Sequence, residues 1–313
     1  MMRAYVTGAT GFVGSNIAAA FAAEGADVHC PVRSDHPDPR LSLERLDVLD
    51  PAAVIASVER RRPDVIVHSM ILNDHDLMYA DRRLAWQCYV GTTETLADAA
   101  NRVGALLILV STDWVFDGTQ GPAAEDTPPN PTTLYGVLKL ASEEAVRHLA
   151  TRGAVARVSA VQGHHLARPT TVRRQDRGFG YLAASIVDAL AEGRTFTVWE
   201  APDINNVATP SLASECGRVM HRIAAIGATG VFHCCGAEPV TRRQLAELTC
   251  DVFDLDRSLL RYGPPEPGGM ERGVVPYDTT LSTAITSERL GTTPLTTRLI
   301  LERFKEERLG TEG

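Results

Sequence analysis

Aromatic residues make up only 6% of the 313-residue chain, and its six cysteines (Cys30, Cys88, Cys216, Cys234, Cys235 and Cys250) show no C-x-x-C spacing. Thiols scattered in this way suit a reducing cytoplasm and argue against a disulfide framework or a cysteine zinc site. The adjacent Cys234-Cys235 reads either as a redox pair or as the core-facing end of a strand. An excess of positive charge is also missing. The formal net charge of -8 speaks against a nucleic-acid binder, which would carry a basic stripe. No apolar run approaches a membrane span. Residues 1–6 enter a strand at once, which leaves no room for a signal peptide. No repeat or low-complexity segment is present. A hydrophobic content of 44% and a charged content of 22% are ordinary for a globular chain. Its length allows one large or two intimate domains.

What is present alternates. Apolar strands are expected at 4–6, 28–32, 65–68, 106–110 and 154–158, and helices at 14–24, 51–61, 84–103 and 131–150. Pro51 suits the first helical position. The Val65-Ile66-Val67-His68 and Leu106 to Val110 runs show no polar alternation, as expected when both faces of a sheet are covered. Strand-helix alternation builds a doubly wound parallel sheet through right-handed crossovers. Working residues in such sheets collect at the carboxyl ends of the strands. Gly8, Arg33, Ser69, Thr112 and Ala160 all fall there.

After Val161 the rhythm changes. Helices are expected at 179–192, 212–226, 242–255 and 295–307, strands at 196–199 and 231–233, and a loop at 263–269. The expected division is a dinucleotide-binding domain over 1–162, with 206–235 returning to it. Residues 163–205 and 236–313 would form a smaller substrate-binding lobe.

The first turn reads Thr7-Gly8-Ala9-Thr10-Gly11-Phe12-Val13-Gly14, between a strand and a helix. Glycines at 8, 11 and 14 permit a tight turn and close backbone approach to a pyrophosphate, and the helix N-terminus favours its charge. After the second strand comes Val32-Arg33-Ser34. An acid there would hold the ribose of NAD, whereas an Arg can pair a 2′-phosphate. Arg33 and Ser34 therefore favour NADPH, with NADH as the alternative because Asp35 follows. Asp47-Val48 would lie beside the adenine.

Ser111-Thr112-Asp113-Trp114 and, further on, Tyr135-Gly-Val-Leu-Lys139 add a hydroxyl, a phenol and an ammonium behind this cradle. Tyr and Lys four apart share a helix face. A free phenol titrates near pH ~10, and a nearby ammonium draws it toward the working range. Together these residues are equipment for moving a hydride and a proton.

The run Ser111-Thr112-Asp113-Trp114-Val115-Phe116-Asp117-Gly118, then Pro128 to Pro131, then Tyr135-Gly136-x-x-Lys139 with Glu143-Glu144, resembles the extended short-chain dehydrogenase/reductase superfamily. Within it, the likeness is to the dTDP-4-dehydrorhamnose reductase branch. The resemblance is strongest over residues 1–161. It implies a Rossmann-type α/β fold with a C-terminal substrate-binding lobe, and NAD(P)H-dependent reduction of a keto group. It also implies roles. Tyr135 would protonate the carbonyl oxygen, Lys139 would hold the nicotinamide ribose and tune Tyr135, and Thr112 would bond the same oxygen. Ser69 and Met70 would line the cofactor, Ala160 and Val161 would lie near the nicotinamide, and Asp113, Trp114 and Phe116 would face substrate. Related 4,6-dehydratases place Asp-Glu after the Thr. Trp114 stands at that Glu position, so simple reduction is the reaction implied.

Departures from the family pattern concern the substrate. Met70 and Ile71 are bulkier than the small residues of the corresponding family turn, and either reshape the pocket or pack into it. Arg168, Arg173, Arg174 and Arg177 form a basic loop in an acidic chain, which reads as a diphosphate clamp or as a solvated surface loop. Asn206 reads as a substrate contact or a turn residue. His164-His165 lacks a third ligand, so no metal site is expected. The implied substrate is the 4-keto group of a dTDP-4-dehydro-6-deoxy sugar. A non-sugar ketone is one alternative. Another is a non-catalytic NADP-binding regulatory subunit, since the β-subunit of methionine adenosyltransferase resembles the same branch. The partner is a small molecule, with no nucleic acid or membrane, in a cytoplasmic and possible homodimeric protein.

Overall fold

Seven parallel strands form the centre of the computed structural model, which describes residues 1–171, 174–265 and 274–311. They include β1 (Arg3–Thr7), β2 (Asp27–Val32), β3 (Ser42–Arg45), β4 (Val65–His68), β5 (Leu106–Thr112) and β6 (Gly153–Val158), with Gly230–His233 as the seventh. Their spatial order is Gly230–His233, β6, β5, β4, β1, β2, β3. Every neighbouring pair is parallel. The order reverses between β1 and β4, and a crevice opens there at the carboxyl ends. This is a Rossmann-type doubly wound α/β fold.

Helices cover both faces. On one, α1 (Phe12–Ala23) lies against Ala213–Ile226, sealing a core that includes Val6, Ile17, Phe21, Met220 and Phe232. On the other, Tyr5, Val54, Ile66, Leu96, Leu107 and Val155 join the sheet to α2 (Pro51–Arg61) and to the Thr92–Val103 and Leu134–Leu149 helices. Asp50 caps α2 by accepting from the amides of Ala52 and Ala53, and Pro51 opens it;. A third cluster, with Phe179, Leu182, Ile186, Leu245 and Phe304, belongs to the later segments. There Phe196–Trp199 pairs with Leu260–Gly263, and Val207–Ala208 lies between Val240–Thr241 and Asp278–Thr279.

The expected helix over 84–103 is not one helix. It is Arg82–Trp86, a π-helical turn Gln87–Gly91, and Thr92–Val103, preceded by His75–Ala80. Asp74 and Asp81 cap the two short helices through the amides of Leu77 and Leu84. The helix expected at 179–192 begins instead at Leu182, because Phe179 and Tyr181 adopt φ of 72° and 59°, outside helical space;. Of the expected loop at 263–269, residues 266–269 lie outside the described residues, as does Arg173 of the basic loop.

Candidate functional site

The glycine turn closes where β1 meets α1. Gly11 donates its amide to the Gly8 carbonyl at 2.8 Å, and Ser69 Oγ donates to the Thr7 carbonyl at 2.7 Å. A Cβ on Gly14 would collide with the Gly8 carbonyl and stand 2.5 Å from Ser69 Oγ. The turn and the end of β4 are therefore pressed together, leaving bare backbone at a helix N-terminus. Bare backbone at a helix N-terminus suits a pyrophosphate, and side chains at Gly8 or Gly14 would force the turn off the end of β4;. Gly14→Ala should cost NADPH binding at least 10-fold by forcing this turn apart. Fluorescence titration of the folded variant checks it, and unaltered affinity would remove the turn from the cofactor site.

Around this turn, Phe12 lies with its ring centroid 4.7 Å from Tyr181 and 6.0 Å from His165. Thr10 and Val13 are half-buried. At the end of β2, Arg33 and Ser34 are exposed, and the Arg33 carbonyl accepts from the Arg45 guanidinium. Asp35 is drawn to Arg45 at 3.0 Å. Asp47 is exposed and accepts from the Leu49 amide at 3.0 Å, while Val48 packs on the core. Met70 packs with Leu72, Leu134 and Tyr135 against the cluster around Met78 and Tyr89. It is thus committed to packing.

The Leu134–Leu149 helix starts at Thr133, whose hydroxyl accepts from the Gly136 amide at 3.0 Å. A Cβ on Gly136 would run into the Trp114 carbonyl. The Tyr-Gly sequence thereby lets the helix lie on the β5 exit and brings the Tyr135 ring edge-on to Trp114, at 6.1 Å and 75°. One turn on, Lys139 is buried, and its Nζ donates to the Val110 carbonyl at 2.8 Å. Burial lowers the ammonium to about 8, opposed by the charge of Glu143. His68, at the end of β4, shares a 2.8 Å hydrogen bond with the Thr7 hydroxyl. Burial, aided by Lys139, pushes its imidazolium down to about 3, so the ring is neutral;.

Thr112, Tyr135 and Lys139 are thus gathered at the carboxyl edge of β5. Ala160, just past β6, takes φ of 44°, a conformation an alanine adopts only when held;. Gln162 holds it, donating to the carbonyls of Ala160 at 2.8 Å and Phe179 at 3.0 Å. Val161 pairs with Ser211 in a short parallel bridge.

Two residues expected to face substrate do not. Asp113 is turned inward by the 3-10 turn Asp113–Val115. Its Oδ2 accepts from Ser159 Oγ at 2.7 Å and Thr279 Oγ1 at 2.5 Å, and its Oδ1 accepts from Thr112 Oγ1 at 3.0 Å. Phe116 is 2% exposed and packs beneath the Arg157 guanidinium at 5.1 Å. After the short turn its side chain joins Val115, Ala123 and Leu281 in an interior cluster. Trp114 does meet the later segments, because a Cβ on Gly178 would stand 3.0 Å from its Cζ2.

Burial raises the Asp113 carboxyl to about 6 from 3.8, against the hydroxyls of Thr279, Ser159 and Thr112. The folded chain then keeps a proton that the unfolded chain releases. Asp113's contribution to stability is full below about pH 4 and lost as pH rises through about 6;. In urea melts between those values, wild type should lose on the order of 2 kcal/mol more than Asp113→Asn. Parallel pH dependence in the two proteins would contradict this.

Asn206 and Arg168 do not share a pocket. Asn206 lines an open cleft of about 470 Å³ with Glu200, Arg242, Arg243 and Tyr277. Its amide donates to the Ala201 carbonyl at 2.5 Å. Arg168 is exposed and lines a separate recess with His165, Asp188 and Arg308. The cleft's floor includes a residue that the sequence did not single out. Arg242 is fully buried, donating to the carbonyls of Asn205 and Asp176, each at 2.7 Å, with its guanidinium 4.8 Å from the Phe179 ring. Burial lowers it to about 10. Gln162 and Arg242 carried no motif, and only their partners in space mark them.

A model of the RmlD substrate binding domain matches residues 2–293. Methionine adenosyltransferase 2 subunit beta of Xenopus tropicalis is 32% identical over 85% of this chain and 77% of its own. dTDP-4-dehydrorhamnose reductase of Mycobacterium tuberculosis is 31% identical over 76% and 77%. Among solved structures, dTDP-4-dehydrorhamnose reductase of Bacillus anthracis, in complex with NADP, superposes with a TM-score of 0.79. It is 19% identical, covering 98% of this chain and 99% of its own.

Proposed function

The chain belongs to the RmlD substrate binding domain family, in the dTDP-4-dehydrorhamnose reductase-like branch of the extended short-chain dehydrogenase/reductases, and from that premise we propose an NADPH-dependent reductase of the 4-keto group of a dTDP-4-dehydro-6-deoxy sugar. The observation that carries this reading is the gathering of Thr112, Tyr135 and Lys139 at the β5 edge, beside a turn open to a pyrophosphate. When bound, NADPH supplies the hydride. Gly8, Gly11, Gly14 and their neighbours would hold its pyrophosphate, and Lys139 its ribose. Tyr135 gives its phenolic proton to the substrate oxygen. Thr112 turns its hydroxyl from Asp113 to the same oxygen and steadies the alkoxide charge. The cleft beside Asn206 and Arg242 takes the nucleotide end; its volume falls within the range of small-molecule sites;. The setting of this activity is cytoplasmic, and the assembly expected in the superfamily is a homodimer.

NADPH is favoured over NADH because Asp35, the acid that would bind ribose hydroxyls, is turned to Arg45 while Arg33 stays exposed. Arg33→Ala should weaken NADPH binding roughly 10- to 100-fold, the size of a lost charge-assisted contact, and leave NADH nearly as before. Equal losses for the two cofactors would sink the 2′-phosphate assignment.

The test of the function is NADPH oxidation by the purified protein with dTDP-4-dehydro-6-deoxy-hexose and with non-sugar ketones. Turnover of the dTDP sugar alone fits the proposal, and turnover of only other ketones moves the substrate elsewhere. A second reading, a regulatory subunit, rests on the 32% identity to methionine adenosyltransferase 2 subunit beta. Cofactor binding without turnover, together with stable association with a methionine adenosyltransferase, would favour it.

A further inference from the structure

The π-helical turn Gln87–Gly91 lies between two α-helices, and such turns are rare and frequently fall at functional sites. It is stabilised from within. Thr92 Oγ1 donates to the Gln87 carbonyl at 3.0 Å, and Thr93 Oγ1 donates to the Tyr89 carbonyl at 2.7 Å. The turn presents Tyr89 to the site. Its ring is 2% exposed, and its centroid lies 5.5 Å from Lys139 Nζ and 6.0 Å from the Tyr135 ring, which it meets edge-on at 78°. Its hydroxyl donates to the Leu72 carbonyl at 3.3 Å, anchoring the ring from behind.

Lys139 needs such a neighbour. Its ammonium is 3% exposed, donates to one carbonyl, and makes no ion pair among the described residues. Across from it on β4, His68 is neutral and lends no charge. The ammonium's electrostatic support comes from Glu143 on the same helix, a carboxylate already bound bidentately by Arg157. An aromatic face within about 6 Å of an ammonium attracts it through the ring quadrupole, more strongly where water is excluded.

We propose that Tyr89 is a positioning residue for proton transfer, its ring face holding Lys139 in the ammonium form and its edge contact fixing the Tyr135 ring. The catalytic consequence rests on the reductase reading, but the effect on Lys139 does not. The two can therefore fail separately.

The chain has only two lysines, Lys139 and Lys305, so the protein labelled with ¹³C,¹⁵N-lysine gives two Nζ titrations, and Lys305 serves as internal control. Tyr89→Phe keeps the ring and should leave the Lys139 midpoint in place. Replacing Tyr89 by phenylalanines of increasing ring fluorination keeps the shape while draining the π face. The midpoint should then fall stepwise, by roughly half to one pH unit at full fluorination. The alkaline limb of the NADPH-oxidation profile should move down with it, and Lys305 should not respond. A Lys139 midpoint indifferent to fluorination would overturn the proposal. A protein that reduces no ketone yet shows the stepwise fall would support it and overturn only the reductase reading.

Discussion

Replacing Tyr135 with Phe is expected to lower ketone reduction by roughly 10²- to 10⁴-fold, the range for losing a positioned general acid. NADPH affinity should stay nearly unchanged. The substitution removes one oxygen. The ring contacts with Tyr89 and Trp114, at 6.0 and 6.1 Å, belong to carbon atoms that phenylalanine retains. The helix cap at Thr133 and the close approach of Gly136 to the Trp114 carbonyl are also untouched. A folded, cofactor-binding, inactive protein is therefore the expected product. Single-turnover rates set beside NADPH titrations check it, and residual turnover near the wild-type rate would remove Tyr135 from the acid role.

The second large effect concerns stability. Glu143 and Arg157 form a bidentate ion pair at 3.0 and 2.7 Å, with side chains 2% and 3% exposed. Ser111 Oγ donates to the same carboxylate, and the Phe116 ring lies against the guanidinium. Glu143→Gln leaves an uncompensated buried cation. It should cost about 3–5 kcal/mol, as breaking one side of a buried pair does. The double variant Glu143→Leu/Arg157→Met removes both charges and should recover most of that loss, because the pair's own desolvation is then avoided. Denaturant melts of the three proteins measure this. A double variant less stable than Glu143→Gln would mean that the pair contributes more than its charges. Because Glu143 supports the charge on Lys139, the single variant should also shift the Lys139 midpoint downward.

The sheet could be read from the sequence because its strands are short apolar runs without alternation, and the runs at 65–68 and 106–110 became fully buried strands. The glycine turn was legible for a related reason. Its residues are dictated by backbone contacts that no side chain could share. Side-chain direction was not legible. Asp113 follows Thr112 in sequence, yet one 3-10 turn points it into a nest of hydroxyls supplied by residues up to 166 positions away. The π turn at Gln87–Gly91 was equally hidden. Its apolar spacing passes for an ordinary helix, and the threonine hydroxyls that stabilise it act on carbonyls that sequence does not display. Arg242-Arg243 stood only at the start of the helix expected over 242–255. Its first member is buried by backbone carbonyls contributed from residues 176 and 205.

The central claim is hydride transfer at a site built from Thr112, Tyr135 and Lys139, and the fate of deuterium from NADPH deuterated at both C4 positions tests it most directly. Incubated with dTDP-4-dehydro-6-deoxy-hexose, the protein should place a single deuterium at C4 of the reduced sugar, and Tyr135→Phe should place almost none. A reduced sugar that carries no deuterium at C4, or a cofactor that keeps both deuterium atoms while the folded wild-type protein is saturated with the sugar, would contradict the account.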